Sequence, residues 1–269
     1  MPLPCLANRL PYRLGTTSYI VPADILPNVR HLAGVVDDIS LILFESAGAS
    51  NLPSAQTVQM LDALQRDGGP GYSVHLPLDC PFGDRDPDVR TAALERALRV
   101  WRLTAPCAPR AWVLHLPGDH RGDPPAADID RWQADSEQTL AAFLAAGPPP
   151  HQVAIETLDY DFALVAELVE GHDTAVCIDV GHLLLRGEDP LAACERWIDR
   201  LLVVHLHGIV DGRDHHSAAH LDPDLLTGLH AICRDAPRPV ICTLEVFAED
   251  HLHSSLAALA AAAGLETDP

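Results

Sequence analysis

Eight short apolar runs alternate along this chain with eight longer segments whose apolar residues recur at helical spacing. The apolar runs cover residues 12–20, 39–44, 72–76, 111–116, 153–158, 174–180, 201–207 and 239–246. The helical segments cover residues 22–31, 54–66, 86–103, 129–146, 161–170, 190–200, 222–234 and 249–263. Strict alternation of strands with helices is typical of βαβ units and favours a parallel sheet.

A chain of 269 residues with eight such units has the size of a (β/α)8 barrel. An open, doubly wound sheet is the competing architecture, but neither GxGxxG nor GxxxxGKS/T follows the first strand. No change of composition marks a linker, and the proline-rich stretches at 122–125 and 147–150 are interpreted as loops. We therefore predict an α/β protein built as a single (β/α)8 TIM barrel with a parallel sheet. It would span residues 1–269, with residues 1–11 as an N-terminal extension.

The acidic composition limits the kinds of partner. The chain has 18 Lys and Arg residues against 38 Asp and Glu, which gives a formal net charge of −20. Such a charge disfavours broad contact with nucleic acid or with an anionic membrane. The seven cysteines are scattered without a CxxC pattern, so we expect reduced thiols and a cytoplasmic location. The N-terminus lacks the apolar core of a signal peptide, and no run approaches 18 apolar residues.

Metal-competent side chains stand at the ends of seven predicted strands. In a (β/α)8 barrel the carboxyl ends of the strands meet at one mouth, which carries the functional residues. The strand-end residues are Glu45, His75, His115, Glu156, Asp179, His205 and Glu245. The turn after the sixth strand adds His182, and the loop DGRDHHS adds Asp211, Asp214, His215 and His216. Imidazole nitrogens and carboxylate oxygens together suit Zn²⁺, Mn²⁺ or Fe²⁺, so the sequence predicts a metal centre.

Some of these residues have a simpler interpretation. A single histidine near a strand end is usually a hydrogen-bonded structural residue, whereas seven groups on one rim would repel one another or stay unsatisfied without a cation. Glu45 equally fits an ion pair with an arginine or a substrate contact. His207 shares a strand face with His205 and fits a contact with a metal ligand or with substrate. The histidines expected on the surface are His31, His151, His172, His230, His251 and His253.

Taken in chain order over residues 12–247, the strand-end residues resemble those of the xylose-isomerase-like, endonuclease-IV-like superfamily of metal-dependent TIM barrels. The resemblance implies one to three divalent ions per chain, with zinc or manganese expected. The implied ligands are His75, His115, Glu156, Asp179, His182, His205, Asp214, His215 or His216, and Glu245. The implied catalytic residues are Glu156, Glu245, Asp179 and His182. The endonuclease branch has His-x-Asn-Asp where this chain has HLHG at 205–208, which argues against action on DNA.

Within that superfamily, several stretches are similar to the cobamide-remodelling hydrolases called CbiR. They are LGTTSYIVPADILPNVRHL from residue 14, VHLPLD at 74–79, IETLDY at 155–160, CIDVGHLLLRG at 177–187 and VVHLHGIVDGRDHHS at 203–217. The resemblance implies a metal-dependent phosphodiesterase that cleaves the nucleotide loop of a cobamide to give cobinamide phosphate and an α-riboside. The partner would then be a small-molecule corrinoid, with neither nucleic acid nor membrane involved. Contacts to the corrin ring are expected from Tyr19, Asn51, Leu52 and residues 183–185.

Two other functions fit the same residues. A sugar isomerase or epimerase would hold its metal with a smaller set, namely Glu156, Asp179, His205 and Glu245. The additional histidines at 75, 115 and 182 favour phosphoester hydrolysis over that alternative. A non-catalytic corrinoid-binding barrel is the second alternative, and such a protein would not need so many metal ligands.

Overall fold

The computed structural model describes residues 2–46 and 49–266. Twelve strands occur in these ranges: β1 (Arg13–Thr17), β2 (Asp38–Ile42), β3 (Glu45–Ser46), β4 (Ala49–Ser50), β5 (Gly71–His75), β6 (Trp112–Leu114), β7 (Val153–Glu156), β8 (Ala175–Asp179), β9 (Leu201–Leu206), β10 (Gly208–Val210), β11 (Arg213–His216) and β12 (Ile241–Leu244). Nine α-helices accompany them: α1 (Ile25–Leu32), α2 (Ala55–Arg66), α3 (Pro87–Thr104), α4 (Ile129–Ala145), α5 (Ala166–Gly171), α6 (Val180–Arg186), α7 (Pro190–Arg196), α8 (Pro223–Asp235) and α9 (Glu249–Ala262). Short 3-10 helices cover Ala105–Cys107, Pro150–Gln152, Phe162–Val165 and Ala218–His220.

Eight of these strands close into a barrel in which every neighbouring pair is parallel. Their order around the barrel is β1-β12-β9-β8-β7-β6-β5-β2. Gly15 of β1 pairs with both Thr243 and Asp38, so β1 joins the first and last strands and completes the ring. The other strands form two antiparallel pairs, β3 with β4 and β10 with β11. The prediction of an α/β protein with a (β/α)8 TIM barrel and a parallel sheet is confirmed.

Asp-Pro pairs explain why several helices begin where the sequence predicts. Helices α3, α7 and α8 each start with a proline that follows an aspartate, namely Asp86, Asp189 and Asp222. Each aspartate accepts a hydrogen bond from an N–H group of the first helical turn, and the proline needs no partner at that position. None of the helices within 2–46 and 49–266 has the length and apolar content that a membrane span requires.

The inner face of the barrel sheet carries both the small apolar residues and the strand-end polar residues. Ala111, Val113, Ala154, Cys177 and Val203 form a buried cluster that is separate from the larger core between sheet and helices. Because side chains alternate along a strand, these residues lie on the same face as the site residues two positions further on. They therefore provide an apolar floor beneath the mouth of the barrel.

A helix and a histidine differ from the predictions. Residues 180–182, which the sequence assigns to the end of the sixth strand and the turn after it, begin helix α6, because the Asp179 carboxylate accepts a hydrogen bond from the His182 N–H at 2.7 Å and caps a new helix. His230, predicted on the surface, is buried. Its ring stacks on Tyr12 with centroids 5.4 Å apart, and its Nε2 lies 3.2 Å from the carbonyl oxygen of Leu259 in α9. Packing of α8 against α9 covers this face of α8, which helical spacing alone did not reveal.

An ion pair between a buried aspartate and a partly exposed arginine lies at the opposite end of the barrel from the mouth. Asp38, at the start of β2, is fully buried and accepts hydrogen bonds from Arg110 Nη1 and Ser73 Oγ, both at 2.7 Å. A Cβ at Gly71 would lie 1.6 Å from Arg110 Nη1, so only glycine leaves room for the guanidinium. Burial raises the pKa of Asp38, although Arg110 and Ser73 oppose the shift.

Replacing Arg110 with methionine should therefore destabilise the protein in a pH-dependent way. With its folded pKa raised, Asp38 stabilises the fold when protonated, and this contribution is lost as pH rises. Without Arg110 we expect a loss of about 3–5 kcal/mol in the free energy of unfolding near pH 8 and a smaller loss near pH 5. Urea unfolding at both pH values measures this, with Arg102→Met on exposed helix α3 as control. Equal losses of unfolding free energy at both pH values would contradict a raised pKa for Asp38.

Candidate metal centre

The parallel barrel brings the predicted strand-end residues together at one mouth. His75, Glu156 and Asp179 are the last residues of β5, β7 and β8. His205 lies near the end of β9. His115 and Glu245 follow β6 and β12 directly. Since parallel strands in a closed barrel end on the same side, all six side chains face one region.

Glu156 is the centre of this cluster. Its side chain is 1% exposed, and its two oxygens contact different histidines. Oε2 lies 2.8 Å from His115 Nε2 and 3.3 Å from His75 Nε2. Oε1 lies 3.2 Å from His205 Nδ1 and 3.9 Å from His182 Nδ1. One carboxylate thus contacts four imidazoles, two through each of its oxygens.

Two further carboxylates lie close to His205, on the side of the cluster that Glu156 Oε1 faces. Glu245 Oε2 lies 3.5 Å from His205 Nδ1, and Asp179 Oδ2 lies 3.9 Å from the same nitrogen. One ligand atom from each of Glu156, Asp179, His205 and Glu245 can be chosen so that all lie within 4.8 Å of one another. Carboxylates this close and this deeply buried require compensating positive charge.

Hydrogen bonds to backbone carbonyls fix the protonation of two histidines. Nδ1 of His75 lies 2.8 Å from the carbonyl oxygen of Leu76, and Nδ1 of His182 lies 2.9 Å from that of Thr157. Because a carbonyl only accepts, each Nδ1 carries a proton and each neutral ring keeps the lone pair of Nε2. In His75, Nε2 lies 3.3 Å from Glu156 Oε2, so two hydrogen-bond acceptors face each other. A metal ion between them, or a second proton on the ring, removes the conflict.

Electrostatics keep the carboxylates ionised despite their burial. Burial alone would raise the pKa of Glu156, but the neighbouring His115 and His205 hold it well below its usual range. Burial would likewise raise the pKa of Asp179, and His207 and His182 lower it overall. The cluster therefore presents negative charge to whichever cation occupies its centre.

The residues fit a divalent metal ion. Three groups of described residues have ligand atoms within 4.8 Å of one another: His75, Glu156 and His205; Glu156, Asp179, His205 and Glu245; His207, His215 and Glu245. Each group mixes imidazole nitrogen with carboxylate oxygen, a donor set suited to zinc or manganese and unsuited to calcium. Glu156, His205 and Glu245 each belong to two groups, which would allow neighbouring ions to share ligands.

The β10–β11 hairpin brings one of the two candidate histidines to the mouth. His215 Nδ1 lies 3.7 Å from Glu245 Oε2, and both His215 and Asp214 line the cavity. His216 points elsewhere, with its ring centroid 5.3 Å from that of His251. Its inclusion among the metal ligands is therefore not supported, because successive residues of the hairpin face opposite sides.

Other predicted contacts lie outside the cluster. Glu45 forms an ion pair with Arg99 at 2.8 Å, one of the two interpretations left open by the sequence. Asn51 is occupied in fastening its loop, because its Oδ1 accepts from the Phe44 N–H at 2.7 Å and its Nδ2 donates to the Ile42 carbonyl and to Tyr19. Tyr19, Asn51 and Leu52 line a second cavity of about 460 Å³.

Sequence reasoning missed the rim of the mouth. The cluster forms part of the wall of a cavity of about 780 Å³. Four large apolar side chains on its lining are between 43% and 63% exposed, namely Phe44, Leu78, Leu185 and Phe247. Of the leucines at 183–185, which were expected to contact a corrin ring, only Leu185 is among them, while Leu183 is buried in the core. Loop residues have no periodicity that would predict such an arrangement.

The fold and this mouth define a (β/α)8 barrel with a candidate metal centre at the carboxyl ends of its strands. The chain belongs to the xylose isomerase-like TIM barrel family, whose family model matches residues 39–264. No curated protein sequence matches the chain significantly.

Solved structures with the same fold come from proteins of different kinds. A 3-keto-D-glucoside 4-epimerase, YcjR, from E. coli shares 16% identity with a TM-score of 0.69, covering 93% of this chain and 98% of that one. Endonuclease IV from Thermus thermophilus shares 19% identity with a TM-score of 0.66, covering 93% and 98%. An IolI protein with a binding zinc atom shares 12% identity with a TM-score of 0.67, covering 94% and 98%. At these identities the similarity shows the fold alone.

The central place of Glu156 gives a direct test of metal binding. Glu156→Gln keeps the shape of the side chain but removes the charge that faces His75, His115 and His205. We expect zinc affinity to fall by at least about tenfold, measured by equilibrium dialysis and elemental analysis. Glu167→Gln, on the exposed face of α5, is the control and should bind like the unchanged protein. Unchanged affinity and stoichiometry in E156Q would remove Glu156 from the metal centre.

Proposed function

We propose that this protein is a metal-dependent phosphodiesterase that cleaves the nucleotide loop of cobamides. Hydrolysis would add water across the bond between phosphorus and the ribose oxygen, giving cobinamide phosphate and a free α-riboside. The observation that carries the proposal is the combination of a histidine-rich metal centre with a wide, apolar-rimmed cavity. The similarity of five stretches of the sequence to cobamide-remodelling hydrolases supports the same substrate.

The shape of the cavity suits a large substrate with an apolar surface. A volume of about 780 Å³ lies in the upper range of small-molecule sites, and a single sugar would leave much of it unfilled. The exposed rim residues Phe44, Leu78, Leu185 and Phe247 surround the opening. Contact with a macrocycle would remove their apolar surface from water and stabilise the complex.

The phosphate would meet one arginine at this mouth. The chain has no lysine, so all 18 of its Lys and Arg residues are arginines, and a lysine Schiff base is excluded. Arg121 lines the cavity, and its guanidinium has no carboxylate or carbonyl partner within the described ranges. The loop that carries it is anchored, because the N–H of Gly122 donates to Asp159 Oδ2 at 2.8 Å. A free guanidinium on the wall of the cavity that contains the cluster fits recognition of a phosphate.

Each polar residue of the mouth has a role in this chemistry. Glu156, Asp179 and Glu245 would hold the divalent ions through their carboxylates. When bound, such ions would supply an activated water and neutralise the oxygens of the phosphate. His75, His115 and His205 would complete the ligand set, and the hydrogen bond of His75 to the Leu76 carbonyl fixes the ring for that purpose.

A sugar epimerase is the second candidate. The group Glu156, Asp179, His205 and Glu245 contains two glutamates close to a possible ion, an arrangement that could exchange protons at carbon. Several solved structures with this fold are titled as sugar epimerases, including L-ribulose 3-epimerase. The two candidates differ in substrate size and in the use of Arg121.

The proposed reaction can be tested by incubating metal-loaded protein with adenosylcobalamin and analysing the products by mass spectrometry. We expect cobinamide phosphate and the riboside of the lower base, and no products after EDTA treatment, because apo protein would repel the phosphate. Absence of turnover with zinc, manganese, iron and cobalt would overturn the phosphodiesterase. Conversion of a ketose in a parallel sugar panel would then favour the epimerase.

Arg121→Met separates phosphate binding from metal binding. Removing a charge-assisted hydrogen bond at this position should raise KM for the cobamide by about tenfold and change kcat little. Zinc content should stay the same, because Arg121 contacts no metal-competent group within the described ranges. Arg102→Met, exposed on α3, is the control for loss of charge. An unchanged KM in R121M would exclude this arginine from substrate binding.

A further inference from the structure

His207 is a fully buried imidazole whose two ring nitrogens are both occupied. Nδ1 lies 3.1 Å from the backbone nitrogen of His215, which can only donate, so Nδ1 accepts. Nε2 lies 3.2 Å from each carboxylate oxygen of Asp179. A neutral imidazole has one acceptor and one donor nitrogen, so its N–H is directed at Asp179. Neither nitrogen keeps a free lone pair for a metal ion, so the group of His207, His215 and Glu245 lacks one of its three donors in this arrangement.

These contacts help to fix the orientation of Asp179. Its Oδ1 also accepts from the His182 N–H at 2.7 Å, and its backbone N–H donates to Thr157 Oγ1 at 2.8 Å. With Oδ1 used in capping helix α6, Oδ2 is left 3.9 Å from Nδ1 of His205. Rotation of the carboxylate would break the contacts to His207 and to the helix cap together.

Gly181 provides the space for the His207 ring. A Cβ at this position would lie 2.0 Å from Cε1 and 2.6 Å from Nδ1 of His207. The imidazole therefore packs directly against the first turn of α6, and any larger residue at 181 would displace it. This explains the glycine in the sequence Asp179-Val180-Gly181-His182.

The same ring holds the β10–β11 hairpin over the mouth. His215 has a φ of +57°, a conformation that a residue with a side chain rarely adopts, and its N–H is used by His207. The two rings lie 4.6 Å apart, and His215 Nδ1 lies 3.7 Å from Glu245 Oε2. His207 thus connects Asp179 on β8 with the hairpin residue that faces Glu245.

We infer that His207 is a positioning residue that orients Asp179 toward the metal and docks the β10–β11 hairpin, and that it does not itself bind the ion. The inference rests on the metal centre of the proposed function. Hydrogen-bond partners that orient a metal ligand commonly change metal affinity by about 10- to 100-fold when they are lost.

Two substitutions separate the two contacts. His207→Asn places an amide oxygen near Nδ1, so it can accept from His215 but cannot reach Asp179. His207→Gln places an amide nitrogen near Nε2, so it can donate to Asp179 but loses the acceptor for His215. We expect H207N to weaken zinc binding by about 10- to 100-fold and H207Q to stay within about threefold. Amide hydrogen exchange across 208–216 should accelerate in H207Q and not in H207N.

Gly181→Ala tests the same inference without changing a polar group. It should displace the ring, weaken zinc binding and loosen the hairpin together, although alanine favours helix α6 more than glycine does. His151→Gln, exposed at the other end of the barrel, should behave like the unchanged protein. Circular dichroism and thermal melting of each metal-free variant establish that it folds.

The zinc-binding and hydrogen-exchange experiments use no substrate, so they test the role of His207 separately from the proposed phosphodiesterase activity. Loss of one bound ion per chain in H207Q would make His207 a ligand and overturn the inference. Unchanged zinc affinity in both H207N and G181A would also overturn it. Zinc binding that follows the expected pattern in a protein without phosphodiesterase activity would overturn only the proposed function. If the protein without substitutions binds no divalent ion, both the role of His207 and the proposed function are overturned.

Discussion

The mouth of this barrel depends on the removal of three carboxylates from water within a few ångströms of one another. Glu156, Asp179 and Glu245 are 7% exposed or less. Burial would raise the pKa of Glu156 and of Asp179, but neighbouring histidines hold the first well below its usual range and lower the second. Five histidines supply contacts to Glu156 or Asp179, yet the His75 lone pair faces another acceptor. A divalent cation at the centre of the cluster would balance the carboxylates and accept the free lone pair of His75.

Several of the hydrogen bonds around the cluster also stabilise the fold. Asp179 ends strand β8, caps helix α6 and presents its other oxygen to the cluster, so one side chain joins local structure to chemistry. Thr157 does the same on the neighbouring strand, because its hydroxyl accepts from the Asp179 N–H and its carbonyl faces His182. Such double use limits the movement of the ligands, which favours a preorganised metal site.

Local sequence patterns predicted the barrel strands well, but they did not predict features that depend on packing between distant parts of the chain. The alternation of apolar runs with amphipathic segments located the eight barrel strands, and Asp-Pro pairs located helix starts within one residue. Helix α6 has only seven residues, with too few turns to show a period, and the sequence indicates only a turn at its first residues. His230 was placed on the surface because nothing in the sequence of α8 indicates that α9 and Tyr12 cover it.

The sequence by itself determined that six of the seven strand-end residues, all but Glu45, reach the mouth, because strand direction and the two-residue period fix the end and the face of a barrel strand. Only the tertiary structure decided how they pair: that the two oxygens of Glu156 contact different histidines, that His215 and not His216 turns inward, and that His207 fits over Gly181. It also decided which apolar residues stay exposed around the cavity. These features depend on loops and on contacts between distant strands, which no local pattern encodes.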